Sequence, residues 1–305
     1  EISCSLVGSE MCIRDSWRTV LISKISKLDY SLGYLIVRDV NSTVKIHIDE
    51  ISVLILENTA ISLTSALLNE LVNKKVKVIF CDEKRNPKSE IIPYYGSHDS
   101  SLKIKKQIEW DARLKQELWT LIVEQKISNQ AKVLSFQSLP QCEQLYSYIN
   151  EMKFYDSTNR EGHAAKVYFN ALFGKDFTRD KDCPINAALN YGYSIILSCF
   201  NREIVCSGYL TQLGLFHENM FNHYNLSCDL MEPFRPLVDI TVKKITPQEF
   251  SKNEKIEILK ILSSDVIIEK QKQNLINAIR LYCKSVFRAL EDNDLKKIAF
   301  PEYEL

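Results

Sequence analysis

LGLFHENMFNHYNLSCDLMEPFRPLVD, residues 213–239, places His217, His223, Glu218, Asp229, Glu232, Asp239 and Arg235 among apolar neighbours. A shorter patch of the same kind lies upstream, Asn159-Arg160-Glu161-Gly162-His163-Ala164-Ala165. Ionisable groups set this densely among core-forming residues suggest that the two patches meet around one divalent metal ion. The fold then has to be one that brings them together.

Taken singly, each residue has a plain structural reading beside the chemical one. Asp229 with Glu232 three residues on, ahead of an apolar run, reads as a helix capping box with Asp in place of Ser or Thr. Pro233 suits a first helical turn. The same spacing also puts two acids on one helical face, where they can share a cation. His217 precedes Glu232 by fifteen residues. On an unbroken helix that is about 22 Å at 1.5 Å per residue, so a shared ion demands a reversal between them. Residues 222–227 (NHYNLS) are suited to one. His217 alone reads more readily as an ordinary core or surface histidine than as a ligand. His223, in the expected turn, reads as structural or exposed, and His163 as a neighbour rather than a ligand. Glu161 sits at a helix entry, where the helix dipole favours an acid.

In combination, one histidine with two or three carboxylates and no cysteine forms a hard, oxygen-rich ligand set. That set suits Mg²⁺ or Mn²⁺ and argues against zinc or an iron–sulfur centre. Such ions typically serve phosphoryl chemistry. Arg160 and Arg235 flank the acids; each can be an ion-pair partner or hold a phosphate bidentately.

Outward from the two patches the chain changes character once. Residues 19–22, 34–37, 44–48, 51–56 and 76–80 are apolar or β-branched runs, with Asn41-Ser42 as turn chemistry, and 63–72 has helical spacing. Asn86-Pro87 breaks the pattern, and residues 93–101 (PYYGSHDSS) read as a linker. Beyond it the expected helices are 102–131, 143–152, 164–173 stopped by Gly174, a buried helix at 186–200, a helical stretch opening at 246–250, and a long amphipathic helix over 266–290. In the buried one, Asn190, Tyr191 and Tyr193 each need a partner. The expectation is an α+β chain: a small N-terminal mainly β domain carrying one helix (residues 17–98), then a larger all-α catalytic domain (99–305). Residues 1–16, EISCSLVGSEMCIRDS, resemble translated sequencing-adapter read-through and are set outside the fold, with a native start expected near Trp17.

The chain has 305 residues, 39 basic and 39 acidic, so no excess charge announces a polyanionic partner. Any nucleic-acid face must be a local patch. Nine cysteines, an odd count without a C-x-x-C pair, fit buried thiols in a reduced, cytoplasmic compartment better than disulfides. No apolar run approaches bilayer-spanning length.

The motifs NREGHAAKVYF (159–169), LNYGY (189–193), LGLFHEN (213–219) and DLMEPFRPLVD (229–239), in this order and spacing, resemble those of the CRISPR-associated integrase family Cas1. The phrasing is similar to the type II-A branch, which accompanies an RNA-guided nuclease. The resemblance implies a metal-dependent DNA endonuclease and integrase that inserts foreign DNA fragments into the CRISPR repeat array by transesterification. It implies catalytic metal ligands at Glu161, His217 and Glu232, the last being Asp in many members. Asp229 then supports the metal or caps a helix, and Arg235 matches a basic position near the attacked phosphate. The implied partners are double-stranded DNA, a second copy in a homodimer formed through the β domain, a Cas2 subunit bridging a four-to-two complex, and other type II-A adaptation proteins.

Overall fold

Residues 51–56, ISVLIL, are buried at every position. A strand of that kind must be covered on both faces, as central strands next to parallel neighbours are. It is the middle of the first of two units into which the chain divides, residues 1–94 and 95–305. The computed structural model describes residues 4–7 (backbone), 18–93 and 97–303.

The first unit runs β1 (Cys4–Val7), β2 (Arg18–Ile22), β3 (Lys27–Ser31), β4 (Tyr34–Arg38), β5 (Thr43–His47), β6 (Ile51–Leu56), β7 (Ser62–Leu63), α1 (Ser65–Asn73), β8 (Lys77–Cys81) and β9 (Pro87–Glu90). One sheet has the order β1-β2-β6-β8-β9 and the other β5-β4-β3-β7. β6 pairs in parallel with both β2 and β8. Val20, Leu54 and Val78 from the first sheet, Leu28 and Leu35 from the second, and Leu67 and Leu71 of α1 fill one core. Part of the segment set outside the fold, Cys4–Val7, pairs antiparallel with β2; the expected start at Trp17 lies outside the described residues. Pro87 does not end strand structure but begins β9, an edge strand whose first residue can lack an N–H.

The second unit is mostly helical: α2 (Ser100–Ile108), α3 (Ala112–Phe136), α4 (Cys142–Asn150), α5 (Arg160–Phe173), α6 (Pro184–Cys206), α7 (Asn225–Met231), α8 (Arg235–Ile245), α9 (Lys252–Leu259), a hairpin of β10 (Asp265–Ile268) and β11 (Gln271–Asn274), and α10 (Leu275–Asp292). The expected fold class therefore holds, with the hairpin added to the helical domain.

Three expected helices take different bounds. The stripe at 102–131 is two helices, because Asp111 accepts a hydrogen bond from Leu114 N at 2.8 Å and starts α3 afresh. Residues 246–250 are not helical: Thr246 takes a left-handed φ of 44° and ends α8, and Ser251 with Glu254 forms the capping box that opens α9. The 266–290 stripe begins as the hairpin, and only 275 onward is helix.

Gly192 of α6 faces α8. A Cβ there would lie 2.5 Å from Val238 Cγ1, so the glycine sets how closely the two helices pack. α3, with Leu118, Trp119, Ile122, Val123 and Ile127 buried, packs against α4, α5 and α8. Among the described residues no helix is long and apolar enough to cross a membrane. Cys81, Cys199 and Cys283 are buried as expected, whereas Cys142, Cys183, Cys206 and Cys228 are half-buried.

Candidate active site

Two carboxylates from different helices converge on one ammonium. Glu161, in the first turn of α5, has Oε1 2.6 Å from Lys126 Nζ, and Glu232, just after α7, has Oε2 2.5 Å from the same atom. Lys126 comes from the middle of α3 and is 7% exposed. Arg235 Nη2 reaches Glu232 Oε1 from the other side at 3.0 Å. Burial pushes the Glu232 carboxyl up, but Arg235 and Lys126 together outweigh it and hold it below its usual value. Burial likewise opposes the Lys126 charge, and Glu232 and Glu161 outweigh it in the other direction.

Local sequence explains how Glu161 gets there. Asn159 sits in the left-handed region and its side chain caps α5, while Asp156 accepts from the N–H groups of Arg160 at 2.7 Å and Glu161 at 3.0 Å. Arg160 points elsewhere. It pairs with Glu151 at 2.8 Å and lies over the Tyr148 ring.

His217 is held beside this cluster by Asp229. One Asp229 oxygen accepts from Leu215 N at 2.6 Å and Phe216 N at 3.1 Å; the other accepts from His217 N at 3.2 Å and meets His217 Nδ1 at 2.5 Å. That hydrogen bond, partly opposed by burial, raises the imidazole pKa, with Glu232 and Glu161 adding to the rise. The ring packs edge-on to Trp119, whose face is stacked by Phe216 at 4.4 Å. Gly214 closes the loop: a Cβ there would strike His217 O and come within 2.8 Å of Asp229 Oδ2. His217 also borders a cavity of about 410 Å³ shared with Lys115, Glu218 and Asn219.

The capping-box reading of Asp229 and Glu232 is overturned. α7 starts at Asn225, so Asp229 lies in its body, and its carboxylate is spent on the 215–217 loop rather than on the helix's own amides. The reversal that lets His217 approach Glu232 spans 219–224 instead of 222–227, since the helix has begun by residue 225. His223 is exposed, one of the two readings its sequence position allows, and His163, read as a neighbour of the site, is exposed as well.

The donor set can be weighed against a divalent ion on these observations. Glu232 Oε2 is buried and accepts no well-aligned hydrogen bond, although the ammonium lies beside it. Two carboxylates already share one cationic position, and a neutral imidazole is the usual nitrogen partner for such oxygens. These residues fit a hard divalent cation in kind. They are not drawn together as ligands: among the described residues no three His, Cys, Asp or Glu side chains gather at metal-binding separation. Lys126 stands between the carboxylates instead. Sequence reading missed it, and also missed Trp119 as the wall behind His217.

The family model for CRISPR associated protein Cas1 matches residues 20–273. This chain belongs to the Cas1 family. It is 33% identical over 293 residues to the CRISPR-associated endonuclease Cas1 of Neisseria meningitidis serogroup C (strain 8013), covering 94% of this chain and 96% of that one. A Pyrobaculum aerophilum Cas1 is 27% identical, over 72% of this chain and 79% of its own. Among solved structures, a Cas1 protein from Thermotoga maritima superposes with a TM-score of 0.73 at 16% identity, covering 94% and 100% of the two chains. A casposase bound to integration product gives 0.74 at 19% identity, over 92% of each chain. The Cas1 fold is therefore kept at sequence distances where little beyond the fold can be compared.

Behind the site of this Cas1, Tyr193 donates to Asp239 Oδ1 at 2.5 Å, and the guanidinium groups of Arg235 and Arg179 both lie over the Tyr193 ring. Asn190, expected to need a buried partner, is instead exposed and accepts from Arg179, while the partner of Tyr193 comes from outside α6. Burial raises the Asp239 pKa from 3.8 to about 6, only partly offset by the hydrogen bond from Tyr193. Between those values the folded state holds a proton that the unfolded state has lost, so this group's contribution to stability falls as pH rises from about 4 to 6 and is flat above. Urea unfolding of the helical unit should show Asp239→Asn gaining about 2 kcal/mol on wild type between pH 4 and pH 7, at 1.36 kcal/mol per pKa unit. A pH-independent difference would mean that Asp239 titrates normally.

Proposed function

We propose that this protein is a metal-dependent DNA integrase of CRISPR spacer acquisition. It joins a 3′-hydroxyl of an incoming DNA fragment to a phosphodiester of the repeat by transesterification. One observation carries the reading: in a Cas1 family chain, Glu161 and Glu232 aim at one cation position with His217 held alongside.

Glu161, His217 and Glu232 would hold Mg²⁺ or Mn²⁺, which supplies charge neutralisation at the attacked phosphate and acidifies the attacking hydroxyl. The chain's own residues do the rest. Asp229 fixes the His217 ring by its Nδ1 side, leaving Nε2 as the free nitrogen, the usual role of a carboxylate behind a ligating histidine. Arg235, anchored by Glu232 and Tyr193, presents a guanidinium where the phosphate would come in. Arg160 serves the DNA backbone further out. The cavity beside His217 is the entry for the DNA end.

The β unit would provide the homodimer contact, and Cas2 would bridge two dimers, with further type II-A adaptation proteins joining in the cytoplasm. Relatives of the same fold are a Cas6-RT-Cas1–Cas2 complex and a casposase on its integration product, which supports carrying DNA and Cas2 over as partners. Shared among several subunits, a basic DNA track need not appear in the near-neutral charge of one chain.

Half-site integration of a 3′-hydroxyl duplex into a repeat-bearing plasmid tests the reading. Strand transfer should require Mg²⁺ or Mn²⁺ and fall by more than about 100-fold in His217→Ala, beyond the loss typical of mutating a residue behind a ligand. Unchanged transfer in that variant would remove His217 from the site.

A further inference from the structure

Lys126 has no part in the chemistry just described, yet it holds the central place in the cluster. Its ammonium is 2.6 Å from Glu161 and 2.5 Å from Glu232, and Arg235 lies within 3.0 Å of Glu232 on the far side. Two acids and two bases thus balance among themselves. A buried site whose charge is already balanced gains little from two further positive charges, and like charges at this separation repel strongly in a poorly solvated place. We infer that Lys126 is an internal counter-ion that occupies the cation position while the site is metal-free, and that a divalent ion binds only by displacing its ammonium. This rests on the metal reading of the site given above.

The side chain is suited to the task. An ammonium on a four-carbon stem is a compact charge that can leave by rotating about its own bonds. Neighbours on α3 hold the base of the stem: Ile122, Val123 and Ile127 are fully buried, and Asn129 donates to Pro233 O at 2.9 Å, tying α3 to the turn that carries Glu232. The head can therefore move while the carboxylates stay in register. The lysine would keep the two acids assembled without metal and set the threshold at which metal enters. Apparent affinity falls in proportion to the fraction of time that the binding-competent arrangement exists.

Calorimetric titration of the full chain with Mn²⁺, paired with thermal melting, tests this without strand transfer. Lys126→Met should bind Mn²⁺ about tenfold tighter than wild type or better, the gain expected if the ammonium vacates the position less than a tenth of the time. Its metal-free form should melt lower and regain more on adding Mn²⁺. Lys126→Gln, a second neutral variant in case the first folds poorly, should move the same way, while Lys126→Arg should not tighten. Wild type that binds Mn²⁺ with both neutral variants binding no tighter overturns the inference and leaves the integrase reading standing. Mn²⁺ binding that appears only in the neutral variants upholds the lock. Absence of binding in wild type and variants alike overturns the lock and the metal site together. Binding unaffected by Glu161→Gln and Glu232→Gln does the same.

Discussion

Glu232→Gln should cost this protein both its activity and a good part of its stability, and the pairing of the two losses is diagnostic. Glu232 is 2% exposed and faces Lys126 on one oxygen and Arg235 on the other. Gln keeps the volume and removes the charge, leaving two buried cations with Glu161 alone between them. Removing one partner of a buried ion pair typically costs about 3–5 kcal/mol, because the remaining charge is left uncompensated. Glu161 still answers Lys126, so the lower end, about 3 kcal/mol, is expected here. Strand transfer should fall more than about 100-fold at temperatures where the variant is folded, since a ligand is lost and not merely its support. Glu161→Gln makes the comparison: at 24% side-chain exposure its charge is partly answered by water, so it should lose as much activity for less stability. Urea unfolding and half-site integration on both variants decide it. A folded Glu232→Gln protein with full strand transfer would reduce the cluster to a structural ion pair.

Much of the fold was legible because its elements follow simple periodicities. β2, β4, β6 and β8 are apolar, largely Val, Ile and Leu runs, and β5 alternates Val44 and Ile46 with polar residues, patterns that suit a buried or half-buried strand. β3 was missed for the converse reason: in KLDYS only Leu28 is buried, so the segment has no alternation to read. The β10–β11 hairpin escaped because Val266, Ile267 and Ile268 continue the apolar stripe of α10. Its turn uses Glu269 and Lys270, both at positive φ (50° and 63°), instead of the Asn-Gly or Gly pairs that announce such turns. Local composition pointed to helix, and pairing of the hairpin prevailed.

The site was legible where motif and chemistry coincide and opaque where a residue acts across space. Glu161, His217 and Glu232 stand in recognisable patches. Lys126 lies far from each in sequence, and its one signal is positional: it continues the buried face of α3 formed by Ile122 and Val123, where a lysine needs a buried partner. Asp229 misled because Asp-x-x-Glu spells a capping box and a ligand pair equally well. The start of α7 at Asn225 removes the cap reading.

That correction turns Asp229 from a cap into the residue that shapes the histidine loop, and Asp229→Asn should show it. The wild-type carboxylate is fully buried and surrounded by donors: the N–H groups of Leu215 and Phe216 on one oxygen, the N–H and Nδ1 of His217 on the other. Asn offers one acceptor where two are needed, and its NH₂ must face donors on whichever side it takes. Each stranded buried donor costs about 1–3 kcal/mol, so a total of about 2–5 kcal/mol is expected. Cap removal alone would cost nearer 1 kcal/mol, which makes the magnitude itself discriminating. The cost should also depend on pH. His217 has a raised pKa chiefly through Asp229, so its share of stability is fully present below the ordinary histidine value and is lost as pH rises through the folded value. The variant should therefore lose most relative to wild type below about pH 6.5, the unperturbed histidine value, and less above it. With the ring no longer held by its Nδ1 side, Mn²⁺ affinity should drop by roughly 10–100-fold, as for other carboxylates behind ligating histidines. Histidine NMR titration, urea unfolding at pH 5.5 and 8, and Mn²⁺ calorimetry read the three effects separately. An Asp229→Asn protein with an unshifted His217 pKa and a stability loss near 1 kcal/mol, the cost of a lost cap, would return the residue to a helix-capping role.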